Sequence, residues 1–460
     1  MKSLYKILPF LLIGAVQNLF ISCEKLIEVD LPGNQLRSGQ VFEDKQTANA
    51  AMAGLYASLF DYSVVSGDGS GVLLGSYTDD LDAYLMGSTN GAMDIYHNQQ
   101  LSGNTDVARI WNSSYQQIYM ANSIINGIDN SVTLEPEDKD QIKGEALLVR
   151  SLLFFYLQQL FGDLPYPTTT DYQINKTLSK STSAEVLNML ESDLTDAGHL
   201  LKDGYRSQDR ITPNRAAANL LLAKVLMLKK DWTTAEGLLK GILQNPNYKF
   251  ENDITKVFDK NGKHILWQLK PLNAGDTTKE AVLYYFADAA PASYAISQNL
   301  LNVFSSEDLR KQNWMSPVVF NQNTYYRLEK YKNRIPGDNS SEYSVVFRLE
   351  EVYLLLAEAL AQQNRVSEAV PFINATRQRA GLPALPDTMT KGECLAEALL
   401  EERKEFFAEM GHRFLDLKRN VNLDILTTVK PNWKNHHALW PVPQSDLLAN
   451  PNLNPQNPGY

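Results

Sequence analysis

The densest run of carboxylates is Thr78-Asp79-Asp80-Leu81-Asp82. Three acids within four residues suit two chemistries: an acid and a base flanking a glycosidic bond, or hard oxygen ligands around a calcium ion. Neighbours in sequence do not by themselves set the carboxyl separation a glycosidase needs. Hydroxyl binding or loop structure is therefore the expected use of Asp79 and Asp80. His436-His437 offers paired imidazoles, but adjacent side chains point apart in most backbones, and no HExxH or CxxC partner accompanies them. Solvated loop residues are expected there, with no metal. Cys23 and Cys394 sit in contexts too different to suggest a bridge. Cys394 lies at helical spacing near Leu395, Ala398 and Leu399, as an inert buried thiol would. No catalytic residue, metal or cofactor is expected.

Binding asks for other residues. Sugar recognition uses flat apolar faces over C–H surfaces, beside a few donors and acceptors for hydroxyls. Two irregular stretches supply both. Residues 63–103 hold Tyr77, Asp79, Asp80, Tyr84 and Tyr96, and residues 249–344 hold Tyr284, Tyr294, Trp314, Tyr325 and Tyr326. Trp314 stands foremost, because a Trp in a polar, Asn-rich segment is hard to explain by packing. Trp111 and Trp232 fall on helical core stripes and are set aside.

These residues need a scaffold, and the rest of the chain reads as helix. It has 460 residues, 44% hydrophobic, enough for a substantial core. Net charge is -10 and no Lys/Arg run is visible, which disfavours nucleic acid. Lys2 and Lys6 precede an apolar stretch over residues 7–20, the pattern of a secretory signal too short and too polar at its end to span a membrane. Ser22 before Cys23 resembles a lipoprotein cleavage box, although Phe20 replaces the usual leucine. Residues 1–22 are thus expected to be a signal peptide and Cys23 a lipid anchor, followed by a polar tether over residues 24–41.

Beyond the tether a helix is predicted from Asp44. A second, over residues 106–128, carries Trp111, Tyr115, Ile118, Tyr119, Asn122 and Ile125 at steps of three and four, mostly core positions. A third ends at Phe161-Gly162-Asp163-Leu164-Pro165. Thr182 and Glu185 form a capping box, and Thr212-Pro213 predicts a cap and first-turn proline ahead of an all-apolar helix over 216–228. Leu220-Leu221-Leu222-Ala223 recurs as Leu354-Leu355-Leu356-Ala357, each followed twelve residues later by an alanine, Ala235 and Ala369, after a polar break. This is a helix, tight turn, helix unit that resembles tetratricopeptide pairs. Short runs at 265–269, 281–286 and 317–320 read as strands or loops. Arg150, Arg215, Glu351, Glu358, Arg403, Glu405 and Arg413 lie on apolar helices, where charges must be paired, so structural ion pairs are expected.

Five segments resemble the SusD-like (RagB/SusD) family. They are Glu145 to Arg150 running through Phe154-Phe155-Tyr156 to Phe161-Gly162-Asp163-Leu164-Pro165-Tyr166; Asn214-Arg215 through Leu222-Ala223-Lys224; Arg348 to Leu354 with Ala357-Glu358-Ala359; Glu402-Arg403-Lys404-Glu405 through Gly411-His412-Arg413 to Asp416-Leu417-Lys418-Arg419; and Trp440-Pro441-Val442-Pro443 with Gln456-Asn457-Pro458-Gly459-Tyr460. Met410 departs slightly from the family pattern. The resemblance implies a mainly α fold: a tetratricopeptide-like core, about residues 40–245 and 345–420, with irregular insertions at about 63–103 and 249–344 and few short strands. Residues 23–460 would form one domain. It further implies a non-enzymatic, outer-membrane lipoprotein that passes an oligosaccharide, or in some members a peptide, to a SusC-type TonB-dependent transporter. A surface glycoside hydrolase and a ligand-free helical scaffold are the readings from other classes.

Overall fold

Helices start and stop where local chemistry dictates. In the computed structural model, which describes residues 40–87 and 89–460, the Asp44 carboxylate accepts from the N–H groups of Gln46 and Thr47 and opens α1 (Lys45–Tyr62). The expected signal segment and Cys23 lie outside the described residues. After α2 (Ser70–Tyr77) come the long α3 (Thr105–Asn130) and α4 (Pro136–Phe161). α4 ends at Gly162, whose φ of +75° is a conformation glycine adopts without steric penalty. α5 (Ser183–Leu200) has the complete Thr182/Glu185 capping box. α6 (Arg215–Leu228) is capped by Asn214 rather than Thr212, so Pro213 precedes the cap instead of occupying the first turn. The Asn214 amide also donates to Asp203 O, which holds it in place for capping.

α7 (Trp232–Gln244), α8 (Leu349–Gln362), α9 (Val366–Arg379), α10 (Lys391–Phe406) and α11 (His412–Arg419) follow, with shorter helices between them. Each helix from α3 to α7 packs on the next, α7 packs on α8, and the stack continues through α9 and α10. The two Leu-Leu-Leu-Ala helices, α6 and α8, turn back through equivalent left-handed residues, Lys230 and Asn364, both at φ +63°. Ala235 and Ala369 are fully buried at the close approach behind each turn. Arg365 and Gln363 from the second turn reach the Glu236 carboxylate on α7 and tie the units together. The units are distant in sequence but adjacent in space.

Strands are few and short. β1 (Leu81–Ala83) pairs with β3 (Tyr294–Ile296), β2 (Ile265–Leu269) with β6 (Ser344–Arg348), and β4 (Met315–Phe320) with β5 (Asn323–Leu328), all antiparallel. The 281–286 run is not a strand: Thr278 accepts from Ala281 N–H and starts a short helix, Lys279–Leu283. Among the described residues no helix is long and apolar enough to cross a membrane.

Buried charges hold the insertions to this scaffold. Arg403 on α10 reaches the carboxylates of Asp79 and Asp80 at 3.0 and 2.9 Å, and Arg413 on α11 takes Asp79 at 2.9 Å. Glu405, two residues beyond Arg403, meets Arg348 at 2.5 Å and Arg310 at 3.5 Å, and also pairs with Arg379. Arg150 pairs with Asp193, Lys224 with Glu351, and Arg419 with Glu358. Arg215 pairs with Asp203 in a more exposed setting. Every charged helix residue expected to have a partner has one.

Candidate functional site

Six of the ten residues expected to bind ligand are buried. Trp314 is 1% exposed; its Nε1–H donates to Ile254 O at 3.1 Å, and its ring packs among Phe258, Phe407 and the Lys330 ammonium. The polar segment around it covers a core ring, so packing explains it after all. Tyr77 is enclosed by Phe414, Trp433 and Trp440, and its hydroxyl donates to His437 O. Tyr284 and Tyr294 are core residues too.

Asp79 and Asp80 are spent on Arg403 and Arg413. Burial pushes the Asp79 carboxyl up, but the two guanidiniums outweigh it and hold the group below its ordinary value. At Asp80 burial dominates, the neighbouring Asp79 charge adds to it, and the carboxyl is raised despite Arg403. These acids face the guanidiniums of Arg403 and Arg413. His437 is buried as well, its ring nitrogen accepting from Lys434 N–H, so the expected solvated histidine pair is half wrong.

The other four, Tyr84, Tyr96, Tyr325 and Tyr326, are half-buried. Two of them meet across the insertions. Strand pairing places Asp82 opposite Ala295, and Tyr84 N–H donates to Ser293 O at 2.7 Å. On the hairpin, Val318 faces Tyr325. The Tyr84 and Tyr325 rings then stand 5.8 Å apart at 86°, over a small cluster of Phe286, Ala295 and Val318 that is separate from the main core. Tyr326, next along β5, points to the other face and packs on the main core instead.

Polar groups ring the pair. Tyr96 OH donates to Asp82 Oδ1 at 3.1 Å, and the Lys430 ammonium lies 4.1 Å from the centroid of the Tyr96 ring. Burial raises the Asp82 carboxyl and lowers the Lys430 ammonium to about 8. Burial, with Asp82 and Tyr325 nearby, pushes the Tyr84 hydroxyl up to about 12, so it stays protonated and able to donate. Tyr285, 41% exposed, lies against the guanidiniums of Arg327 and Arg334, 4.9 and 4.3 Å from its centroid. Arg327 also donates to Phe286 O, and both arginines pair with Glu329.

Asp82, Tyr285, Arg327 and Lys430 were not selected from the sequence. Asp82 belonged to the acidic run, and Tyr285 adjoins the buried Tyr284 just past the end of a short helix. Nothing local marks Arg327 or Lys430. Chemically the surface offers apolar ring faces, a carboxylate acceptor and hydroxyl and guanidinium donors.

Comparison with known proteins places the fold in a family. The family described as starch-binding, associating with the outer membrane, matches residues 48–227, and the SusD family matches residues 279–460. The SusD-like protein P25 of Formosa agariphila is 23% identical, with 94% of this chain and 95% of that protein aligned. A laminarin-binding SusD-like protein has the same fold with a TM-score of 0.78 at 21% identity, covering 90% of this chain and 99% of that one. Surface glycan-binding protein A from Bacteroides thetaiotaomicron, solved with laminarihexaose, superposes with a TM-score of 0.75 at 16% identity, over 90% of this chain and 99% of that one.

Proposed function

The chain belongs to the SusD family, and on that premise we propose that it is a surface glycan-binding protein whose ligand lies across Tyr84 and Tyr325. The observation that carries this reading is the ring pair itself. It is drawn from both insertions, rests on a cluster of only three buried side chains, and leaves ring surface open beside Asp82 and Tyr96. Sugar C–H faces would cover the rings, with hydroxyls meeting Asp82, Tyr96 and Arg327. Binding and not bond cleavage is the role: the acidic run has lost two of its three carboxylates to buried arginines.

Isothermal titration against laminarihexaose and a panel of defined oligosaccharides tests it. One glycan class is expected to bind, and Tyr84→Ala and Tyr325→Ala are each expected to weaken it by about 2 kcal/mol, roughly thirtyfold. Wild-type affinity in both variants would sink the site. Silence to all sugars with binding to peptides would change the ligand class.

The finer reading places the protein on the outer membrane through lipid on Cys23, handing glycan to a SusC-type TonB-dependent transporter. Mild detergent extraction should co-purify a large barrel protein, and Cys23→Ser should release the chain into the soluble fraction. An unmodified N-terminus by mass spectrometry would end the anchor proposal. Repeated purification of the protein alone would end the transporter one.

A further inference from the structure

Two arginines stand beside the ring pair and share a single carboxylate. Arg327 lies two residues beyond Tyr325 on β5, so both side chains project from the same side of the strand. Its guanidinium and that of Arg334 lie against the exposed Tyr285 ring, next in sequence to Phe286 of the small cluster. Glu329, 7% exposed, takes Arg327 on one oxygen and Arg334 on the other. One guanidinium would neutralise that acid, so the second is surplus.

The surplus charge is reachable from solvent. The Arg327 and Arg334 side chains are 22% and 25% exposed. Arg327 spends Nε on Glu329 and Nη1 on Phe286 O at 3.0 Å, while Arg334 spends Nη2 on Glu329. Among the described residues, Arg327 Nη2 and Arg334 Nη1 meet no protein acceptor, and neither atom is enclosed; the enclosed, unpaired Arg334 Nε contributes nothing to a ligand. Elsewhere a comparable group closes its balance: Arg365 and Lys240 share Glu236, but Arg365 also holds Glu368. At Glu329 no second acid among the described residues does so, in a chain whose net charge is -10.

These features select a class of sugar. A neutral saccharide needs ring faces and hydroxyl partners, which Tyr84, Tyr325, Asp82 and Tyr96 already supply. Two guanidiniums with open N–H groups suit a carboxylate or a sulfate, because charge-assisted hydrogen bonds are roughly twice as strong as neutral ones. The charges also flank the ring pair: Asp82 comes two residues before Tyr84, and Arg327 two residues after Tyr325. A ligand with hydroxyls at one end and an anion at the other fits that order. We infer that the glycan taken by this site is acidic, with a uronate carboxylate or sulfate ester held by Arg327 and Arg334 and its sugar ring over Tyr285. The inference rests on the binding role proposed above and adds to it the charge of the ligand.

Isothermal titration of the full chain, at low and high salt, against neutral oligosaccharides, their sulfated forms and oligomers of a uronic acid tests this. At low salt at least one acidic ligand is expected to bind about tenfold tighter than the neutral ones, and high salt should erase most of that margin. Arg334→Gln should remove the margin and leave neutral affinity as it was; the preference between sulfate and uronate identifies the anion. Should that variant fold poorly, Tyr285→Ala, which keeps both arginines on Glu329, is expected to narrow the same margin, and an unchanged margin there would count against the site. Acidic ligands that bind the wild type no better than neutral ones would overturn the inference, while Tyr84→Ala and Tyr325→Ala still report on the proposed function. A margin that survives in both Arg334→Gln and Arg327→Gln would overturn it as well, by placing the anion elsewhere. If no saccharide of either kind binds, the inference falls together with the proposed function.

Discussion

Glu405→Gln is expected to destabilise the protein by about 3–5 kcal/mol, because breaking one partner out of a buried ion pair strands the others. Glu405 is fully buried and its carboxylate faces Arg379, Arg348 and Arg310. Burial alone would raise its pKa; the three guanidiniums reverse that and hold it well below the usual carboxylate range. The charge is therefore present in the folded protein at every pH where the unfolded chain is also ionised. Its stabilising contribution is complete above the ordinary glutamate pKa and is lost as pH falls toward the folded value. Glutamine keeps the shape and removes the charge. Glu368→Gln is the control, since its pair with Arg365 is solvent-exposed and should contribute little to stability. Urea titration of both variants decides the matter. Equal midpoints for the two would mean that the buried cluster does not hold the insertions as its geometry implies.

Trp314→Ala should cost about 3–5 kcal/mol of stability, the usual consequence of emptying a core of a large ring. Its packing against Phe258 and Phe407 and its bond to Ile254 O all disappear in the variant. The fraction that remains folded at low temperature should bind glycan as the wild type does. That combination, a large loss in urea midpoint with unchanged affinity, separates a core residue from a ligand platform. Wild-type stability with lost binding would restore the expectation drawn from its polar sequence neighbours.

The contrast between Trp314 and the helices marks what sequence can convey. Asp44, Gly162 and the Thr182/Glu185 box work through neighbours within four residues, so their outcome was readable in place. The same holds for the paired charges: an Arg or Glu on an all-apolar helix needs a partner, even when the partner is unnamed. Trp314 is buried by residues 254 and 258 on one side and 407 on the other, contacts made only by folding the insertion back on α10. Tyr84 and Tyr325 are likewise brought together by the packing of β3 against β5, and Tyr325 was distinguishable from Tyr326 only once the register of the hairpin was known. The candidate site was legible as a region. Which rings face outward was not, because side-chain direction in short irregular strands depends on pairing over long sequence separations.

Arg403 and Glu405 stand two positions apart on α10, a separation that turns side chains to nearly opposite sides of a helix. One grips the first insertion through Asp79 and Asp80, and the other grips the second through Arg310. Both walls of the ring cluster thus hang from a single turn of helix, and neither can swing without parting a dehydrated ion pair. The ordering of the walls was completed when the protein folded, so the entropy surrendered when a glycan docks is chiefly the sugar's own.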